Sequence, residues 1–128
     1  MSELSNFLET ELIDHILRNA SYTSPTTIYV ALYTDDPTDA DSGTEVSGNN
    51  YARQSVTFSA PSNGATSNSS DITFPTASAS WGTITHIGLH DASTAGNLLL
   101  HSPLTASKAV GTDDTFKINS GDLDVDLA

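Results

Sequence analysis

A group of carboxylates between residues 35 and 45 is the first candidate for a metal site in this sequence. It contains Asp35, Asp36, Asp39, Asp41 and Glu45. Carboxylate oxygens bind Ca²⁺, but an EF-hand needs oxygen ligands at alternate positions of its loop, a central glycine and a bidentate Glu at the end. The spacing here does not follow that rule. We therefore expect a hydrated turn that binds neither a metal ion nor a cofactor.

Three histidines are the other candidates for chemistry. On a strand, the four-residue spacing of His86 and His90 corresponds to about 13 Å, which is too far for the two rings to share one ion unaided. His90, Asp91 and His101 could meet across a hairpin and imitate a catalytic triad. The sequence has, however, no Gly-x-Ser-x-Gly motif, no P-loop and no dinucleotide-binding motif. We therefore expect hydrogen-bonding histidines in a protein that is not an enzyme.

The charge of the chain narrows the range of partners. Sixteen acidic residues against four basic ones give the 128-residue chain a formal charge of −12 at pH 7. Such a surface repels phosphate backbones and anionic lipids. No apolar stretch approaches the roughly 18 residues of a membrane span. We expect neither nucleic acid nor a membrane as a partner, and the absence of cysteine excludes disulfides and thiolate metal sites.

Residues 80–91 are expected to form the central strand of a sheet. Strand side chains alternate between faces. One face would carry Thr83, Thr85, Ile87 and Leu89, and the other Ile84, His86, Gly88 and His90. Gly88 would mark a bulge or a close approach of the backbone. Trp81, the only Trp of the chain, and His86 are expected to have structural roles in packing and hydrogen bonding.

Residues 2–20 have the pattern of one amphipathic helix. Its apolar side chains recur at three- and four-residue spacing and are Leu4, Leu8, Leu12, Ile16 and Leu17. Asn6 and Glu9 could form a capping box. The helix either packs on the sheet of its own domain or binds a neighbouring protein. In the second case Leu8, Leu12 and Ile16 would be contact residues.

The other apolar segments have the length and alternation of short strands. They are residues 27–34, 51–58, 69–74, 98–101, 105–110, 115–118 and 122–127. Turn signals rich in Gly, Asn, Asp and Pro separate them. The sequence therefore predicts a mainly β protein, with an antiparallel β-sandwich or small barrel over residues 21–128. One N-terminal amphipathic helix, within residues 1–20, precedes it.

Two acidic segments and one arginine complete the candidate sites. The long loop over residues 35–50 is a candidate contact arm through Asp35, Asp39, Asp41 and Glu45. Arg53 is expected to tie this loop to the sheet through an ion pair or backbone carbonyls. At the end of the chain, Asp122, Asp124 and Asp126 alternate with Leu123, Val125 and Leu127. An exposed acidic row of this kind guards a sheet edge or faces a basic partner.

Several motifs occur in a fixed order along the chain. The most specific are Tyr-Ala-Arg-Gln at residues 51–54 and Trp-Gly-Thr-Ile-Thr-His-Ile-Gly at residues 81–88. Together with residues 4–9, 28–39, 44–48 and 72–75, they resemble a family of small structural proteins of tailed bacteriophages, labelled as tail-fibre or minor virion proteins. The similarity extends from Leu4 to Leu127. It implies a non-enzymatic part of a virion and transfers no catalytic residue.

Two virion roles fit this resemblance. A capsid decoration or cement protein would bind the outer surface of the major capsid protein shell in many copies, and the acidic composition and N-terminal helix favour this role. The alternative is a tail-fibre or baseplate adaptor, since the chain is too short for a complete fibre shaft. A carbohydrate-binding receptor-recognition module, with Trp81 as a stacking platform, is the competing class. For a virion protein assembled in the host cytoplasm, we expect other virion proteins or further copies of the chain as partners.

Overall fold

A computed structural model describes residues 3–127 of the chain. Within that range the backbone forms one α-helix and nine strands. The helix α1 is Asn6–Leu17, and the strands are β1 Glu3–Leu4, β2 Ile28–Tyr33, β3 Gln54–Val56, β4 Ala65–Ser67, β5 Ile72–Thr73, β6 Gly82–His90, β7 Leu98–Val110, β8 Lys117–Ile118 and β9 Asp124–Asp126. All described strand pairs are antiparallel. The predicted fold class, mainly β with one N-terminal helix, is confirmed.

Strand β6 is the centre of the largest sheet. The order of that five-stranded sheet is β1-β7-β6-β2-β3, and two further sheets, β4 with β9 and β5 with β8, have two strands each. β6 and β7 form a long hairpin whose tip contains Gly96 with φ of +70°. Glycine adopts this left-handed conformation without the steric cost that a side chain brings. The predicted central strand is confirmed over Gly82–His90.

The faces of β6 depart from the predicted alternation. Ile84 and Ile87 both belong to the buried core, whereas strict alternation placed them on opposite faces. Ile84 and His86 are two residues apart, but their partners on β7, Lys108 and Pro103, are five apart. The extra residues on β7 form an irregularity that breaks the period of two. Residues 98–101 and 105–110, predicted as two strands, belong to one strand that pairs with β6 on both sides of this irregularity.

The core lies between the five-stranded sheet and the two small sheets. Residues of β2, β3 and β6 pack there with Ile72 of β5, while Ile118 of β8 and Val125 of β9 pack against the same cluster. The rings of Phe74 and Phe116 meet edge to face with centroids 5.6 Å apart. The fold therefore has two β layers, but short sheets and loops build the second layer in place of one continuous sheet.

The N-terminal segment begins as a strand and not as a helix. Glu3 pairs with His101 and Leu4 with Leu100, which makes β1 an edge of the large sheet. Ser5 is the N-cap: its Oγ accepts from Leu8 N at 3.1 Å and donates to the carbonyl of Leu98 at 2.5 Å. Residues 3–5 are therefore not helical as predicted, and the capping box from Asn6 is wrong. Glu3 and Leu4 pair through their backbone with β7, and this pairing takes the place of the first turn of the predicted helix.

The boundaries of other predicted strands also differ from those in the structure. Of the predicted strand over residues 51–58, only Gln54–Val56 is a strand, and Ala65–Ser67 is a strand that was not predicted. The alternation of residues 122–127 implies that Leu127 is buried opposite the acids, but Leu127 is 64% exposed. The predictions that concern residues 1, 2 and 128, at the ends of the proposed helix and domain ranges, lie outside the described residues.

Candidate functional site

Residues 35–50, here called the covering loop, fold back on the sheet. Thr34 N donates to Thr44 O at 3.1 Å, and Val46 N donates to Leu32 O at 2.9 Å. Pro37 and Val46 are buried. The segment predicted as a contact arm is therefore anchored at its base by backbone hydrogen bonds and at two positions by apolar burial.

The four loop acids predicted to contact partners all have partners within the chain. Asp35 accepts a hydrogen bond from Thr44 N at 2.6 Å and another from the Thr44 hydroxyl at 3.2 Å. Asp39, Asp41 and Glu45 contact side chains of the sheet and its flanks. These acids attach the loop to its own domain, and a contact with another protein stays a prediction.

Arg53 joins three segments. Its Nε and Nη2 donate to the two carboxylate oxygens of Glu45 at 2.9 and 2.7 Å. Its Nη1 donates to the carbonyls of Ala92 and Ala95 at 2.9 and 2.8 Å, near the tip of the β6–β7 hairpin. The Arg53 side chain is 8% exposed. The arginine thus makes both the ion pair and the carbonyl contacts that the sequence suggested as alternatives.

Tyr51 completes this cluster. Its hydroxyl donates to Glu45 Oε2 at 2.7 Å and accepts from Leu32 N at 3.0 Å. Burial acts to raise the pKa of Glu45, but the hydrogen bonds from Arg53 and Tyr51 outweigh it and hold that pKa below its usual value. Burial, reinforced by the neighbouring Glu45, raises the pKa of Tyr51. Glu45 is therefore ionised and Tyr51 neutral at physiological pH.

A second hydrogen-bonded network links Asp41, Tyr33 and His90. The Tyr33 hydroxyl donates to Asp41 Oδ1 at 3.1 Å and lies 2.7 Å from His90 Nε2. Because the only hydroxyl proton goes to the carboxylate, Nε2 must donate to Tyr33. Burial lowers the pKa of His90, and Arg53 lowers it further. Burial raises the pKa of Tyr33, as do Asp41 and Glu45. His90 is thus a neutral hydrogen-bond donor under the loop.

His101 lies in a third cluster, between β1 and the covering loop. Its Nε2 is 2.7 Å from Asp39 Oδ1, and its Nδ1 is 3.5 Å from Glu3 Oε2 and 3.8 Å from Asp36 Oδ1. Ligand atoms of Glu3, Asp39 and His101 lie within 4.8 Å of one another. The tertiary fold therefore brings together a histidine and three carboxylates that come from three separate parts of the chain.

The triad considered from the sequence does not assemble. His90 binds Tyr33 and His101 binds Asp39. Asp91 accepts from the backbone and side-chain amides of Asn97 at 2.7 and 3.0 Å. The described hydrogen bonds join no two of His90, Asp91 and His101.

Trp81 and His86 have local structural contacts. Trp81 is 5% exposed, donates from Nε1 to Asn49 O at 2.9 Å and meets the ring of Tyr51 edge to face at 5.4 Å. His86 is half-buried, with Nδ1 2.9 Å from the Thr85 hydroxyl. Trp81 therefore has no open ring face on which a sugar could stack.

The predicted contact residues of the helix lie in different environments. Leu8 is buried and Leu12 half-buried, whereas Ile16 is 70% exposed. Ile13 and Leu17, at 55% and 76% exposed, lie near Ile16 on the helix surface. We call Ile13, Ile16 and Leu17 the helix patch. The first turn of α1 packs on the sheet, and the last turns present an apolar surface.

The acids of the last strand are partly exposed. Asp122 and Asp124 are exposed and Asp126 is half-buried. β9 carries two of them and pairs with β4. Their predicted role in contacting a basic partner stays a prediction.

Sequence reasoning did not select Glu3 or Tyr33 as site residues, and it considered His101 only as a possible member of a triad. Tyr33 and His101 are polar residues within otherwise apolar strands, which is a weak signal of a buried hydrogen bond. Glu3 had no signal, because its position opposite His101 depends on β1 being a strand.

The chain was compared with known protein families and with curated proteins. A family model described as Gp80, Podophage GP4 fiber I protein gp80, matches residues 3–126. The chain belongs to this family. The resemblance to tailed-phage virion proteins is thereby confirmed, and the Gp80 match makes the chain a structural component of a virion. No curated protein matches the chain. Within residues 3–127, no helix is long and apolar enough to cross a membrane.

Proposed function

We propose that the chain is a non-catalytic subunit of a tail fibre, or of the adaptor that attaches a fibre to the virion. The match to a family described by a fiber protein, over residues 3–126, carries this proposal. The composition favoured capsid decoration, but the family description makes a fibre role the nearer of the two. A globular fold of short strands suits a head or adaptor domain better than a shaft.

The use of the polar residues supports a structural role. Arg53 and Tyr51 both donate to Glu45, and Asp41, Tyr33 and His90 form a second hydrogen-bonded network. These groups attach the covering loop to the sheet and leave neither an activated nucleophile nor an aligned base among them. The buried Trp81 gives no support to a carbohydrate-binding module.

The helix patch is the surface that we propose for contact with a neighbouring virion protein. Its three side chains are more than half exposed on the last turns of one helix. Burying an aliphatic side chain of this size contributes about 1.5–3 kcal/mol, so three of them would supply a substantial part of the binding energy. The first turn of α1, held by Ser5 and Leu8, fixes the direction in which the patch points.

Immunogold electron microscopy on intact phage tests the location. An antibody raised against this chain should place gold on the tail fibres or at their attachment point. Gold scattered over the heads would contradict the fibre proposal and would establish capsid decoration. Gold on neither the tail nor the heads would contradict a location of this chain on the virion surface.

A double variant tests the patch. Ile16→Ser with Leu17→Ser should leave the circular dichroism spectrum unchanged, because both side chains are exposed, and should abolish incorporation into particles. Leu127→Ser, at a residue that is 64% exposed and outside α1, is the matched control and should incorporate normally. Normal incorporation of the folded double variant would show that the patch is not the contact surface. Removal of residues 1–20 is a poorer test, because it would also remove β1 from the sheet.

A further inference from the structure

One buried ring nitrogen faces carboxylates without a hydrogen bond. The His101 side chain is 2% exposed, and its Nε2 lies 2.7 Å from Asp39 Oδ1. An ionised carboxylate only accepts hydrogen bonds, so Nε2 carries the proton of this contact. In the neutral tautomer that this contact selects, the lone pair is at Nδ1, on the side that faces Glu3 and Asp36.

The distances around Nδ1 are too long for good hydrogen bonds. Glu3 Oε2 is 3.5 Å away and Asp36 Oδ1 is 3.8 Å away, whereas N–H···O bonds usually measure about 2.7–3.2 Å. Nδ1 has no hydrogen-bond partner among residues 3–127. A buried lone pair that faces two anionic oxygens is unfavourable unless a positive species lies between them.

The same distances suit the ligands of one metal ion. Bonds of about 2.0–2.2 Å to nitrogen and oxygen separate two ligands of one ion by about 2.8–4.2 Å, depending on the angle at the metal. Both distances from Nδ1 fall in that interval. Asp36 is not in the group whose ligand atoms all lie within 4.8 Å of one another, so binding of one ion by all three residues requires the Glu3 carboxylate to move toward Asp36. The Glu3 side chain is 60% exposed, so it can move toward an ion while the buried ring stays fixed. Asp36 is 55% exposed, and its Oδ1 accepts a hydrogen bond from Thr38 N at 2.8 Å, which holds this oxygen on the covering loop.

We propose that Glu3, Asp36 and His101 bind a divalent first-row transition cation, with Asp39 as a positioning residue. One imidazole nitrogen combined with carboxylate oxygens is a donor set that zinc-like ions accept. A carboxylate that receives the other ring N–H fixes the tautomer and orientation of a metal-binding histidine, and Asp39 is placed to do this. The chain's net charge of −12 favours cation binding further.

The ion would connect three elements. Glu3 lies in β1, Asp36 in the covering loop and His101 in β7. Binding only to the folded arrangement stabilises it by mass action. A bound ion would therefore hold the N-terminal strand, and with it the start of α1, against the sheet.

Calorimetric titration of Zn²⁺ into the chelator-treated full chain tests the site. We expect saturable binding of one ion per chain. The unfolding midpoint should rise by about 5 °C or more when free Zn²⁺ exceeds its dissociation constant about 100-fold. Glu3→Gln and Asp36→Asn, at exposed side chains that the fold tolerates, should each weaken binding at least about tenfold, and Asp39→Asn by about 10–100-fold. His15→Gln, at an exposed histidine of α1, is the matched control and should change nothing.

Nitrogen-15 NMR of the His101 ring separates a metal ion from a second proton. With zinc at Nδ1, the Nδ1 resonance should move on titration while Nε2 stays protonated. If both nitrogens are protonated at neutral pH and zinc moves neither, the ring is an imidazolium paired with carboxylates and the proposal is wrong. It is equally wrong if no saturable binding occurs, or if both Glu3→Gln and Asp36→Asn bind as the unmodified chain does.

Discussion

At the scale of single residues, Arg53 is the side chain whose loss the fold should tolerate least. Its guanidinium binds Glu45 through two parallel hydrogen bonds and two carbonyls through Nη1. The two side chains are 8% and 24% exposed, so the pair is largely withdrawn from water. Removing one member of a buried pair leaves the other charge without compensation, which costs more than the intact pair contributes.

Arg53→Met should lower the free energy of unfolding by about 3 kcal/mol, because Glu45 would stay buried with only Tyr51 as a partner. Urea denaturation followed by circular dichroism measures this. Arg18→Met is the matched control: Arg18 and Asp14 are 74% and 43% exposed on α1, and their pair should contribute no more than about 0.5 kcal/mol. Equal effects of the two substitutions would show that the Arg53 cluster is not the anchor of the covering loop.

Gly88 is a residue at which close packing, and not backbone freedom, requires glycine. A Cβ built there would lie 2.7 Å from Leu98 Cδ1 and 2.9 Å from Tyr33 Cε2. Gly88→Ala should therefore destabilise the fold by about 1–3 kcal/mol through overpacking. Gly111→Ala, where the nearest atom to a new Cβ is at 3.5 Å, is the control in the same thermal denaturation measurement and should be nearly neutral. A neutral Gly88→Ala would mean that the sheet face can relax.

At the scale of elements, the start of α1 depends on tertiary contacts. Ser5 caps the helix through Leu8 N, and its own hydroxyl donates to the carbonyl of Leu98 on β7. The Ser5 backbone N–H also donates to Leu99 O at 2.9 Å. One residue thus ends β1, begins α1 and fastens both to the sheet. The apolar stripe in the sequence is real, but its first member, Leu4, belongs to the strand.

Ser5→Ala should cost about 1–2 kcal/mol, because it removes the helix cap and leaves the Leu98 carbonyl with one donor fewer. Thermal unfolding measures the loss, and amide hydrogen exchange should show faster exchange in the first turn of α1. Ser47→Ala, at an exposed serine of the covering loop, should leave both measurements unchanged. Unchanged exchange in α1 of the Ser5 variant would contradict the capping role.

At the scale of the whole molecule, acid should destabilise the fold in two steps. The pKa of His90 is lowered from its ordinary value of 6.5, so below about pH 6.5 the unfolded chain binds a proton there before the folded chain does. The pKa of Glu45 is likewise lowered from 4.5. In each window the unfolded state holds more protons, so the free energy of unfolding falls as the pH falls. The contribution of each group to stability is complete above the pKa that the group has in the unfolded chain. It is lost as the pH falls through the pKa of the folded chain.

The difference between two variants isolates the upper step. Urea unfolding at about pH 7.5 and about pH 5.5 should show a loss of stability for the unmodified chain that is smaller in His90→Gln. His15→Gln, at an exposed histidine, should keep the loss of the unmodified chain. If His90→Gln loses as much stability between the two pH values as the unmodified chain, His90 is not the group that titrates.

Composition and local pattern were sufficient for the class of fold and for the class of protein. The alternation of residues 80–91 predicted the central strand, because a sheet buries side chains with a period of two. Turn residues separated the short strands, and motifs spread over the whole chain indicated the family. The alternation, the turn residues and the motifs are each visible in short stretches of sequence, so the sequence alone was enough to identify them.

Only the tertiary structure decided the register of the strands, the strand character of Glu3 and Leu4, and the composition of the His101 cluster. The irregularity between β6 and β7 moved Ile84 onto the core face, and pairing with β7 turned Glu3 and Leu4 into a strand. The cluster of Glu3, Asp36, Asp39 and His101 joins residues up to 98 positions apart, His101 minus Glu3, across two strands and a loop. Local preference carries no information about such contacts. Their geometry follows from register and from the burial of a whole face, which only the folded chain determines.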